Sequence, residues 1–146
     1  MKIQTTRFGE LEVIDVACFE MIIPILGYED EQKFMLLEHK QQSNFRWLQS
    51  LKTPDLAFVV TMPGCFGIEY IFELPDEPQE YLGIQTAEDI LTLNIVVIPH
   101  ENPRESTINL AAPLVFNLHT RKGGQIILTD PKFKVDHPLI QKEAVC

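Results

Sequence analysis

The chain has 146 residues, of which 45% are hydrophobic and 23% charged, and its twelve Lys and Arg against twenty-one Asp and Glu give a formal net charge of -9. Such a length suits one domain with its own core, the composition excludes intrinsic disorder, and the surplus of anions excludes direct nucleic-acid binding because it repels a phosphate backbone. No stretch approaches the roughly 18 apolar residues of a membrane span, and the polar Gln4-Thr5-Thr6-Arg7 leaves no secretory h-region, so a cytoplasmic protein without a membrane partner, monomeric by preference, is expected.

Short apolar runs rich in Val, Ile, Phe and Thr, with turn residues between them, predict a mainly β, single-domain, antiparallel barrel-like fold. It spans residues 1–140, with one or two short helices, and residues 141–146 form a loose tail. The first strands fall at Lys2–Thr6 and Leu11–Val13. Next, Phe19-Glu20-Met21-Ile22-Ile23-Pro24-Ile25-Leu26 is apolar almost throughout, and Pro24 argues against both a helix and a central strand. Either this segment plugs a barrel end, or it leaves Met21, Ile22, Ile23 and Ile25 exposed to a partner, a use that suits a Met-containing apolar loop.

Strands are predicted at Phe34–Glu38, Arg46–Ser50, Leu56–Thr61 and Ile68–Leu74. A helix of about two turns follows over Asp76–Gly83, with Asp76 capping the first amides, Pro78 in the first turn and Gly83 ending it. The last strands are expected at Ile90–Ile98, Leu114–Leu118 and Gln125–Leu128, and Gly123-Gly124 reads as a hairpin turn requiring positive φ.

Charge is unevenly spread along these elements. From Thr53 to Pro103 there is no Lys or Arg but nine acids, so this third carries the whole anionic excess. A field of that kind steers a basic partner into contact, and it also serves as a soluble surface. Within it, Glu69, Tyr70, Asp76, Glu77 and Glu80 are the candidate contact residues, beside the four apolar ones above.

Templates for catalysis are missing: the sequence holds no Gly-x-Gly-x-x-Gly, P-loop, Gly-x-Ser-x-Gly or His-Glu-x-x-His. His39, His100, His119 and His137 show no ligand spacing, and Cys18, Cys65 and Cys146 form neither a Cys-x-x-Cys pair nor an even set, so no cofactor or metal is called for and reduced thiols are expected. His100-Glu101 ends a strong strand, but Pro99-His100-Glu101-Asn102-Pro103 is an ordinary turn by composition. A small ligand-binding or hydrolytic β-barrel, with His100 or His137 in a pocket, is the rival reading.

Several blocks together carry a family resemblance. They include Thr6-Arg7-Phe8-Gly9, Gly27-Tyr28-Glu29-Asp30, Trp47-Leu48-Gln49-Ser50, Pro54-Asp55-Leu56-Ala57-Phe58-Val59-Val60 and Leu82-Gly83-Ile84. Ser106-Thr107-Ile108-Asn109-Leu110-Ala111-Ala112-Pro113-Leu114-Val115-Phe116-Asn117-Leu118, Arg121-Lys122-Gly123-Gly124 and His137-Pro138-Leu139 complete the set. In this order the chain resembles the flagellar assembly factor FliW family over residues 2–140. Ile22 to Tyr28 departs from that family's shorter Gly-Ile-Pro-Gly-Phe-like turn by being longer and more apolar.

Most of these blocks have a scaffold meaning: Trp47, Leu48, Leu56, Phe58 and Val60 as core, and Asn109 as a side chain that satisfies backbone groups ahead of Pro113. The resemblance implies a non-catalytic cytoplasmic protein that binds flagellin as a chaperone-like partner. It further implies antagonism of the translational repressor CsrA by partner switching.

Overall fold

The computed structural model describes residues 1–38 and 43–139. Eleven strands run β1 Lys2–Thr5, β2 Gly9–Glu12, β3 Cys18–Ile23, β4 Lys33–Glu38, β5 Arg46–Ser50, β6 Ala57–Thr61, β7 Ile90–Val97, β8 Thr107–Ile108, β9 Leu114–Asn117, β10 Lys122–Gln125 and β11 His137–Pro138. One α-helix, α1, covers Asp76–Leu82. The tail predicted over 141–146 lies outside the described residues, as do His39 and Cys146.

Seven strands close on themselves in the order β7-β6-β5-β4-β3-β10-β9 and back to β7. Strand β7 can close the ring because it is long: Ile90 to Leu93 pairs with β9, while Asn94 to Val96 pairs with β6. Antiparallel pairing dominates, but β10 lies parallel to β3, with Gly123 opposite Met21 and Gly124 opposite Ile23 across a bulge. The barrel predicted from the sequence is therefore present, with one parallel seam. Side chains fill its interior, as in small barrels generally. Phe19, Met21, Phe34, Leu48, Val60, Leu93, Leu114 and Phe116 form one buried cluster there.

The seam has its own fastenings. Arg121 adopts a left-handed backbone, φ 62°, at the end of the β9–β10 turn. Its guanidinium donates to the carbonyls of Cys18, Leu118 and Val16 and lies 4.1 Å above the Phe19 ring. Asn117 holds the opposite side: its buried Nδ2 donates to Leu82 O and Gly83 O, and its Oδ1 accepts from His119 N and Thr120 N.

Four local expectations are corrected. Gly123 and Gly124 lie in β10, and the hairpin turns three to five residues earlier. Both glycines are needed for close approach, since a Cβ would lie 2.5 Å from Phe116 Cδ1 at Gly123 and 2.8 Å from Ile23 Cβ at Gly124. Residues Phe19 to Ile23 are not a loop but part of β3, a strand paired on both sides, which ends just before Pro24 and so never needs its missing N–H. Ile68–Leu74 joins no ladder. Cys65 is disulfide-bonded, whereas Cys18 is a free thiol.

Asn109 behaves as the sequence suggests, with Oδ1 accepting from Ala111 N and Ala112 N at 3.0 and 3.1 Å. Trp47, Leu56 and Phe58 are only partly buried, while Leu48 and Val60 are fully so.

Candidate functional site

Strand β9 is buried along its whole length, which an isolated barrel wall would not achieve. Leu114 and Phe116 point into the barrel, so something must cover Val115 from outside. The cover is the stretch from Ile68 to Ile84: Phe72, Leu74, Leu82 and Ile84 pack with Val115, Ile126, Ile23 and Leu128 in a second cluster. Ile68 and Tyr70 continue the inward series against a third cluster that contains Val96, Ile108, Leu110 and Leu139.

Period-two alternation explains how one segment does this. Ile68, Tyr70, Phe72 and Leu74 are half-buried, while Glu69, Ile71 and Glu73 face solvent, with Ile71 73% exposed. Tyr70 is the main anchor. Its Oη donates to Leu110 O at 2.6 Å, and its ring meets those of Phe72 and Phe133 at 5.2 Å. Burial pushes the phenol up to about 12, against a lesser lowering by a hydrogen bond from Asn94.

Helix α1 follows directly. Asp76 is its first residue and not its cap: Pro75 takes the cap position without a side-chain hydrogen bond, and Gln79 Nε2 reaches back to Leu74 O at 2.8 Å. At the other end Gly83, φ 65°, ends the helix as predicted, with Ile84 N bonded to Gln79 O. Leu82 alone of the helix is fully buried, so Asp76, Glu77 and Glu80 are left outward. Glu77 accepts from Tyr81 Oη at 2.7 Å.

The two groups of predicted contact residues thus part company. Glu69, Asp76, Glu77 and Glu80 are exposed on one continuous segment, joined by Glu73, and none of the five has a cationic side chain within ion-pair distance among the described residues. Met21 and Ile25, 3% and 2% exposed, lie in the core and are unavailable to a partner, and Ile23 is half-buried beneath the α1 side. Only Ile22, at 39% exposed, keeps a surface role open. The alternation hidden in β3 reverses the plain reading of an apolar loop.

Sequence reading passed over Ile71, and took Glu73 only as one acid of the segment from Glu69 to Glu80. Their signal was the spacing itself, since both share the outward face with Glu69.

The rival pocket is a groove of about 560 Å³ beside Arg7, Trp47, Phe58, Val97, Ile98 and His100. Its walls are mostly apolar, and His100 is the one histidine among them. His137 lies elsewhere, paired opposite Ile108 in β11. Among the described residues no group of three or more His, Cys, Asp or Glu is arranged to hold a metal ion, and no helix is long and apolar enough to cross a membrane.

Comparison with known proteins gives a consistent result. The family model described as FliW protein matches residues 2–139. A flagellar assembly factor FliW from Caldanaerobacter subterraneus subsp. tengcongensis is 37% identical over 145 residues, covering 97% of this chain and 95% of the relative. Those from Leptospira interrogans and Caldicellulosiruptor bescii are 35% and 38% identical, covering 99% and 95% of this chain and 97% and 90% of theirs. A crystal structure of the flagellar assembly factor FliW superposes with a TM-score of 0.87 at 32% identity, covering 98% of this chain and 99% of that one.

Proposed function

Since the chain belongs to the FliW family, we propose that it serves flagellar assembly as a cytoplasmic, non-catalytic binding protein. In this reading it captures flagellin in a chaperone-like complex. When flagellin is scarce it binds CsrA instead, away from the RNA site, and relieves translational repression. The observation that carries the proposal is the outward row of Glu69, Glu73, Asp76, Glu77 and Glu80, which has no cationic partner within the described part of the chain.

A repressor that holds RNA needs basic surface, and such a row attracts it while repelling the RNA itself. The switch adds a thermodynamic condition: flagellin and CsrA must each lower the affinity for the other.

Calorimetric titration of the purified protein tests this directly. Saturable heat is expected with flagellin and, separately, with CsrA, and the flagellin-loaded protein should give no heat with CsrA. Independent binding of both would remove the switch, and no heat with flagellin would remove the proposal.

A further inference from the structure

The segment Ile68–Leu74 alternates in burial like a strand but joins no ladder, and its inward side chains are held by packing and by the Tyr70–Leu110 hydrogen bond. Yet from Glu69 to Glu73 no backbone N–H or C=O has a backbone partner among the described residues. Such a row is a template for another strand, and folded proteins usually cover or distort it. Here it is held in place by side chains, so a partner strand would add without unfolding anything.

The outward face specifies the partner. Glu69, Ile71 and Glu73 stand at alternate positions, an anion, an apolar group and an anion about 7 Å apart along the strand. Directly opposite residues on adjacent strands interact most strongly, and opposite charges stabilise where like charges repel. The complementary peptide carries Lys or Arg, then any residue, then an aliphatic residue, then any residue, then Lys or Arg. Downstream, Asp76, Glu77 and Glu80 extend the same negative field to the peptide's flank.

We propose that Ile68–Leu74 is an acceptor strand to which an extended cationic peptide of this alternating pattern adds by β-pairing. This rests on the acidic segment being a contact surface, as argued above, and adds the mode of contact. It also distinguishes the site from a groove for a helix, which presents its side chains at spacings of three and four.

The test uses the full-length protein and three fluorescent synthetic peptides. One has the pattern Lys-Thr-Ile-Thr-Lys repeated twice, one has the same residues with all lysines together, and one is the patterned peptide N-methylated at alternate residues on its pairing edge. The patterned peptide should bind at least about tenfold tighter than either control by fluorescence anisotropy. Hydrogen exchange should slow at amides between Glu69 and Glu73 when it binds. Reversing both charges, Glu69→Lys with Glu73→Lys, should cost about tenfold more.

Equal binding of all three peptides, or exchange unchanged in this segment, would overturn the acceptor strand. The methylated control needs no variant, so a misfolded mutant cannot rescue the idea. If the protein captures flagellin while the patterned peptide fails, strand addition falls alone; if flagellin also fails, the functional proposal falls with it.

Discussion

Met21 and Ile22 are adjacent, chemically similar and opposite in role. Met21 faces the barrel interior against Phe116 and Phe19, so Met21→Glu buries a charge with no counter-ion and should cost about 3–5 kcal/mol, read as a large fall in the urea midpoint. Ile22→Glu places the same charge at the surface and should leave the midpoint within about 0.5 kcal/mol of the parent, which makes it the usable probe for partner contact. Gly123 gives a second residue-scale expectation. Its backbone conformation is ordinary, but the space for a methyl group is taken by Phe116, so Gly123→Ala should destabilise by about 1–3 kcal/mol through overpacking, with thermal unfolding as the measurement.

Among elements, the strands Arg46–Ser50, Leu56–Thr61 and Ile90–Ile98 were legible because their aromatic and β-branched runs sit between turn residues and their partners lie nearby in sequence. The strand β3 was not. A bulge after Met21 re-aims the strand, so Phe19 and Met21 fill the barrel while Ile23 lies beneath the α1 side, and its parallel partner begins about a hundred residues later. The acidic candidates were legible as a charge pattern, whereas the segment's lack of a ladder partner depends on topology and leaves no local trace. Tyr70 provides the element's own prediction. Its phenol is raised on folding, so its stabilisation is complete below the ordinary value of 10.0 and is lost as pH rises from there through about 12. Alkaline titration followed by phenolate absorbance should show a late-titrating tyrosine, and the thermal midpoint should fall over that same window.

At the scale of the whole molecule, the net charge of -9 is a property of one third of the chain, and the fold delivers much of that third to one outer wall. Charge reversal at Asp76, Glu77 and Glu80 should therefore slow association with a basic partner such as the proposed CsrA, most visibly at low salt, while dissociation changes little. Stopped-flow rates at two ionic strengths check this; a rate indifferent to salt and to the substitutions would count against steering. The parallel seam bears on a different matter, the order in which the protein is made. Residues Cys18–Ile23 leave the ribosome early, but the edge they offer stays open until Lys122–Gln125 emerges. During that interval the nascent chain carries an apolar strand paired on one side only, the kind of edge that recruits neighbouring chains. Closing a ring between such distant segments is also slow. Synthesis that stalls before residue 122 should thus yield an aggregating fragment, because no shorter piece of the barrel has both walls of its core.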